Sequence, residues 1–276
     1  MDILSQLGIN TDLTTHLLTD FIREEVTRTG MRRAVVGLSG GVDSALVAVL
    51  ATRALGAENV LGILMPYKTS NPNSRGDAET LVQHLGIPSQ VIEITPMVDP
   101  YLDAYVGDNP RRRGNIMARE RMIILYDQSE AFGALVVGTS NKTENLLGYT
   151  TQYGDNAAAI HPLGDLYKTQ VWQLSETLGV PEAIIKKAPS ADLWLGQTDE
   201  GELGFTYAMA DQILYLLVDE RRRPEDIAAL GFDAQIVREI GRRIQRNQFK
   251  RVTPPIAKLS ARTIGADFLY SRDWGT

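Results

Sequence analysis

Cysteine is absent from the 276-residue chain. That absence excludes a disulfide framework, a thiolate metal site and a cysteine nucleophile. Long hydrophobic runs are lacking too: nowhere do about 18 apolar residues follow one another, so no membrane span is expected. The first residues, Met1-Asp-Ile-Leu-Ser5, have neither the basic segment nor the apolar core of a secretory leader, and a cytoplasmic location is the expectation. Positive charge is not in excess. A net charge of -6 argues against a general nucleic-acid binder, although arginine clusters stand at Arg111 to Arg113 and Arg221 to Arg223. No repeat, low-complexity tract or interdomain linker is found. The length suits a single domain over residues 1–276, α/β in class, with a helical C-terminal part from about residue 205.

What is present starts with Gly37-Leu38-Ser39-Gly40-Gly41-Val42-Asp43-Ser44. An apolar run of strand character, Ala34 to Leu38, enters it, and Ala45 to Ala51 leaves it as a buried helix. A strand-to-helix turn with glycines, two hydroxyls and free N–H groups at a helix N-terminus is built to hold an anion, and phosphate is the natural guest. The common phosphate loop would require Lys then Ser or Thr after a spaced glycine, which this stretch lacks. Its chemistry lies in Asp43. A carboxylate beside phosphate repels it unless a divalent cation stands between them, so Mg²⁺ shared by Asp43 and phosphate is one reading. An aspartate capping the next helix, with glycines serving a tight turn, is the other.

The remaining pattern alternates strands and helices. The spacing of Leu13, Leu17, Leu18, Phe21, Ile22 and Val26 predicts an amphipathic helix over 12–28, capped by Asn10 or Thr11. Further strands are expected at 60–65, 90–94 and 134–138, and the apolar run Val60 to Met65 suits a parallel strand covered on both faces. Helices are expected at 77–85, 96–106, 169–178 and 181–187, with shorter ones near 227–230 and 236–244. The polar segment Pro66 to Arg75 leaves a strand end, where doubly wound sheets bind ligands, and reads either as a lid or as a surface loop. Ser190 to Glu202 is a second candidate lid. Arg111 to Arg121 is a basic run that places Asn115, Arg119 and Met122 on one helical face; it is a solvated face or a binding one. Glu144 and Asp155 follow the strand at 134–138, where Glu144 is either a helix-start acid or a partner of Asp43 in a metal site.

Ser39 to Ser44 resembles the pyrophosphate loop of the ATP pyrophosphatases. Gly114-Asn-Ile-Met-Ala-Arg-Glu-Arg121, Gly138-Thr-Ser-Asn-Lys-Thr-Glu144 and Tyr153-Gly-Asp155 are similar to segments of the NAD synthetases. So are Pro162 to Lys168, Pro189 to Leu193 and Thr198 to Gly204, in the family's order. With no glutaminase region and no cysteine, the resemblance is to the short, ammonia-dependent form. It implies an open, mostly parallel, doubly wound sheet (Rossmann-like, of the adenine nucleotide alpha hydrolase type) with helices on both faces. It implies amidation of deamido-NAD by ammonia, with ATP as co-substrate, Mg²⁺ as cofactor and a homodimer as the assembly.

Carried over residue by residue, the loop 37–44 would hold ATP and pyrophosphate with Lys168 and Ser190. Asp43, Glu144 and Ser190 would hold metal. Asp155 would hold ammonium and take its proton, and Asn115, Arg119, Thr139, Asp155 and Glu202 would position deamido-NAD. One departure stands out: where the family has Gly-Gly-x-Asp after Tyr-Gly-Asp, this chain has Asn156-Ala-Ala-Ala159, which removes a carboxylate. Two other readings compete, a tRNA-modifying adenylating enzyme and a non-enzymatic adenine-nucleotide sensor.

Overall fold

A computed structural model of the chain describes residues 3–190, 192 and 196–268. Four parallel strands form the sheet: β1 (Arg33–Gly37), β2 (Val60–Leu64), β3 (Ser89–Val91) and β4 (Ala134–Val136), in the order β3-β2-β1-β4. β1 lies at the centre, pairing Ala34 with Val60 on one side and with Leu135 on the other. Because side chains alternate across a strand, each strand feeds two layers. Ala34, Val36, Val60 and Leu64 face one core, while Val35, Leu61 and Ile63 face the other.

The first layer holds α2 (Thr11–Arg28), α3 (Val42–Leu55), α4 (Pro72–Leu85) and α8 (Lys168–Thr177). α3 has ten buried residues, since it is sandwiched between the sheet and α2 and α8 and therefore reads as apolar all round. The opposite layer holds α5 (Thr95–Tyr101), its π-helical continuation Leu102–Val106, and the long α6 (Pro110–Phe132). A third cluster of buried side chains lies off the sheet. It joins α1 (Ile3–Gln6), α7 (Lys142–Leu147), α10 (Asp199–Leu203), α11 (Tyr207–Leu214), α12 (Pro224–Ala229) and α13 (Ala234–Arg246) around the fully buried Tyr207. The short α9 (Glu182–Ile185) closes on α3 and α8. The doubly wound parallel sheet expected from the sequence is the one found.

Several boundaries differ for local reasons. The polar stretch Pro66 to Arg75 ends as helix: Asn71 accepts the Asn73 N–H at 3.0 Å and Pro72 starts α4, so only its residues 66–71 remain as a loop. Tyr67 in that loop is buried, donating its hydroxyl to Asp99 at 2.7 Å. β3 stops at Val91 because it is an exposed edge, and Ile94 is buried where α5 starts. β4 stops at Val136, and Val137 makes a single parallel bridge to Ile160. In α2, Asn10 is the cap, and Ile22 and Val26 are buried, whereas Leu13, Leu17 and Phe21 of the expected apolar face stay exposed.

Gly40 fixes how the loop after β1 meets α4. Its φ is +73°, and a methyl group there would collide with the Ser74 carbonyl. Gly40→Ala is expected to lower stability by at least about 1–2 kcal/mol from the left-handed backbone alone, with the collision adding to that, measured by urea denaturation.

Candidate active site

Three helix starts converge at the carboxyl ends of β1 and β4, which are neighbours in the sheet. The glycine loop leaves β1 with the Leu38 N–H bonded to the Ile63 carbonyl at 2.8 Å. Its two serines knit it together. The Ser44 hydroxyl donates to the Gly41 carbonyl at 3.0 Å, accepts the Ser39 N–H at 3.3 Å and stands 3.2 Å from the Ser39 hydroxyl, which accepts the Gly41 N–H at 3.2 Å. Asp43 follows in the first turn of α3.

From β4 the chain passes to Asn141, which caps α7 in a reciprocal box. Asn141 Oδ1 accepts the Glu144 N–H at 2.9 Å, and Glu144 Oε2 accepts the Asn141 N–H at 3.4 Å. The Asn141 side-chain amide also donates to Asp43 Oδ1 at 2.8 Å. Lys168 opens α8, and its ammonium is ion-paired with Asp43 and lies 3.4 Å from Glu144 Oε1. The side chain of Lys168 is 3% exposed and those of both carboxylates 16%, so this is a largely desolvated triad. Burial acts to lower the Lys168 pKa, but Asp43 and Glu144 more than reverse it and hold the ammonium charged. Burial, with the neighbouring charge of Asp43, pushes Glu144 up to about 8 against the pull of Lys168.

The C-terminal helices hold this triad in place. Asp211 of α11, fully buried, accepts the Thr143 hydroxyl at 2.6 Å and the Thr169 N–H at 2.8 Å. The Thr143 hydroxyl in turn accepts the Lys168 N–H at 2.9 Å. One carboxylate thus fixes the starts of both α7 and α8, and with them Glu144 and Lys168. Asp199 adds a further buried carboxylate, which accepts the Tyr207 hydroxyl at 2.9 Å. Burial raises its pKa against the pull of Lys168.

A second group of expected residues surrounds one loop, 148–155. Asn115 Oδ1 accepts the Thr151 hydroxyl at 3.1 Å, and Arg119 donates to the Gln152 carbonyl through Nε and Nη2, each at 3.3 Å. Asp155 Oδ1 accepts the Thr151 N–H at 2.7 Å. Glu202 accepts the Tyr149 hydroxyl and, at 2.8 Å, the Gln197 amide. Lys250 completes the clamp, donating to the carbonyls of Gly148 at 2.7 Å and Thr150 at 2.6 Å. Thr139 is half-buried directly after Gly138, against which the side chains of Ala158 and His161 are packed. Ala158 lies in the stretch that departs from the family pattern, where Asn156 Oδ1 accepts the Tyr153 N–H at 3.0 Å and no carboxylate stands at position 159.

Ser190 is exposed, and its hydroxyl accepts the Asp192 N–H at 3.0 Å rather than meeting the carboxylate pair. Residues 191 and 193–195 of the second expected lid, like the tail 269–276, lie outside the described residues. Sequence reasoning passed over Asn141, Asp211, Lys250 and Lys187. For Asn141 a signal existed, since Asn followed three residues later by Glu is a capping-box pattern. Asp211 lies in an apolar helix far along the chain, and nothing local distinguishes it.

The model of the family described as NAD synthase matches residues 14–254. The chain belongs to the NAD synthase family. The NH(3)-dependent NAD(+) synthetase of Trichlorobacter lovleyi is 56% identical over 272 residues, covering 99% of this chain and all of that protein. Its counterpart in Chlorobium phaeobacteroides is 51% identical over 268 residues, 97% of each chain. Among solved structures, the NMN synthetase of Francisella tularensis superposes with a TM-score of 0.81 at 31% identity, over 91% of this chain and 99% of that one. The NH3-dependent NAD synthetase of Campylobacter jejuni, in complex with nitrate, gives 0.78 at 35% identity, over 91% and 100%. Family membership therefore rests on nearly the whole length, including the C-terminal helices that carry Asp211.

Two outcomes follow from the buried groups. Asp211→Ala leaves the Thr143 hydroxyl and the Thr169 N–H without their acceptor and is expected to cost about 2–4 kcal/mol in urea denaturation. Glu144 is protonated more readily folded than unfolded, so its contribution to stability is present in full below its unfolded pKa and is lost as pH rises through about 8. Without divalent metal, thermal melting of the wild type should fall between pH 5 and pH 8, relative to Glu144→Gln, over that window set by its pKa values.

Proposed function

We propose that the chain catalyses the ATP-dependent amidation of deamido-NAD to NAD with ammonia, releasing AMP and pyrophosphate through an NAD-adenylate intermediate. The observation that carries this reading is the contact of Asp43, Lys168 and Glu144 beside the glycine loop. The nicotinate carboxylate is a poor electrophile: its charge repels a nucleophile and its leaving group would be oxide. Its attack on the α-phosphorus of ATP forms a mixed anhydride and expels pyrophosphate. Ammonia then adds to the acyl carbon, and AMP leaves.

Ser39, Gly41 and Ser44, with the loop N–H groups, hold the leaving pyrophosphate. Lys168 stays cationic because two carboxylates flank it, and it compensates charge building on the phosphates. Magnesium fits the donor set. Asp43 and Glu144 offer hard oxygens close enough to share one ammonium, and Mg²⁺ uses one or two carboxylates together with substrate phosphates. Asp43 and Glu144 would hold it, without Ser190, whose hydroxyl is turned to the Asp192 N–H, and it would supply charge neutralisation at the phosphates. Asp155, anchored by the Thr151 N–H, holds ammonium and accepts its proton. Asn115, Arg119, Thr139 and Glu202 position deamido-NAD, three of them through the loop 148–155 that they grip. The segment 65–71 excludes water, to which an acyl adenylate is vulnerable.

A homodimer is supported by the exposed apolar side chains of Tyr101, Tyr105, Ile123 and Tyr126 along α5, its continuation and α6. None of the described helices is long and apolar enough to cross a membrane, in keeping with a cytoplasmic enzyme. One observation favours a second acceptor. The Francisella tularensis relative is an NMN synthetase, and Ala159 removes a carboxylate near the proposed substrate loop, so nicotinate mononucleotide is the alternative.

Incubation with ATP, Mg²⁺, ammonium and either acceptor, following AMP and the amidated product by chromatography, tests the reading. Equal amounts of AMP and NAD from deamido-NAD are expected, and AMP formation with neither acceptor would overturn it. Asp43→Asn should lower turnover about 100- to 1,000-fold. A folded variant with near-normal turnover would remove Asp43 from the metal site.

A further inference from the structure

Lys187 lies outside every motif that identified the family, yet its ammonium reaches the glycine loop. It donates to the Gly40 carbonyl at 3.3 Å, the Ser74 hydroxyl at 2.9 Å and Asp77 Oδ2 at 2.9 Å. An ammonium has three N–H donors, and here three acceptors meet them. The side chain is 23% exposed and its partner Asp77 21%, so the contact is shielded on most sides.

The geometry of a trans peptide gives this contact its meaning. The carbonyl of one residue and the N–H of the next point in opposite directions. With the Gly40 carbonyl held toward Lys187 and α4, the Gly41 N–H is turned to the other side. There it meets the Ser39 hydroxyl at 3.2 Å, beside that of Ser44. Glycine on both sides of this peptide leaves its rotation almost unopposed by side-chain sterics. A flipped peptide would direct a carbonyl oxygen at the phosphates in place of a donor.

We propose that Lys187 is a positioning residue of the amidation reaction, locking the Gly40–Gly41 peptide so that the Gly41 N–H and the Ser39 hydroxyl it orients, rather than the Gly40 carbonyl, stand on the side of the leaving pyrophosphate. The inference rests on the reading of residues 37–44 as the pyrophosphate cradle. A second tie reinforces the arrangement: both oxygens of Asp192 accept the Asn71 N–H at 3.1 Å. The segment after α9 therefore grips the start of α4 at Asn71 and again at Ser74 and Asp77. Through Lys187 the cradle is joined to that grip.

The test is product inhibition by inorganic pyrophosphate, measured with the full-length enzyme. Lys187→Met keeps the aliphatic stem and removes the donors. Its inhibition constant for pyrophosphate and its KM for ATP are expected to rise about tenfold or more, the scale of a lost charge-assisted hydrogen bond, while KM for deamido-NAD stays within about twofold. Lys187→Arg, which retains charge and donors, should recover part of the loss. Unchanged pyrophosphate inhibition in Lys187→Met would overturn the proposal, and so would an equal weakening of pyrophosphate, ATP and deamido-NAD, the mark of general structural damage. Should the methionine variant not fold, Lys187→Gln is read against the same expectations. Ser44→Ala in the same assay separates the two ideas. If it weakens pyrophosphate and Lys187→Met does not, the role of Lys187 falls alone; if neither does, the cradle itself is wrong.

Discussion

Two carboxylates that approach one ammonium in a largely desolvated pocket set the terms for the rest of this structure. Asp43 and Glu144 repel each other, and without Lys168 the pair would be costly to bury. The arrangement therefore requires three helix starts to meet within hydrogen-bond and ion-pair reach of one another. Adjacent parallel strands, β1 and β4, deliver the two acids from the same sheet edge. The start of α8 delivers the lysine, and Asp211, from a helix off the sheet, ties that start to α7. The C-terminal helices are thus part of the site's framework rather than an appendage to the sheet.

The same economy governs the region assigned to the acceptor substrate. Asn115, Arg119 and Glu202 each grip the loop 148–155, Asp155 braces it from within, and Lys250 clamps it from the far end, while Asn115 and Arg119 also line a small cavity with Tyr101, Val106, Arg112 and Ile116. A loop held by so many polar contacts is shaped by its neighbours as much as by its own sequence. The exchange of Gly-Gly-x-Asp for Asn156 to Ala159 occurs just beyond it, packed on Gly138. A change there acts on how the loop meets the sheet.

Much of this was legible in the residues. The glycine loop, the parallel strands and the doubly wound order could be read because each depends on local pattern: apolar runs of strand length, glycines at a turn, helices between strands. Glu144 could be paired with Asp43 because both follow strand ends. The long lid could not be read correctly, since Asn71-Pro72 starts a helix inside a segment whose composition is that of a loop. Asp211 and Lys187 were invisible for a different reason. Their partners lie 42 to 147 positions away in the chain, and no periodicity records such contacts.

The sequence by itself determined which groups this chain can bring to a site: a glycine- and serine-rich turn between strand and helix, acids at strand ends, and no thiol. Those are properties of residue type and near-neighbour spacing, which local sterics and charge convert directly into structure. Only the tertiary structure decided which cation sits between the acids, which buried carboxylate holds the helix starts, and which lysine reaches the Gly40 carbonyl. Each is a meeting of segments distant in the chain, selected by packing and by the cost of leaving a buried charge or hydrogen bond unpaired. The glycine loop is accordingly recognisable in isolation, but its neighbours in α4, α8 and the segment after α9 are visible only in the folded chain.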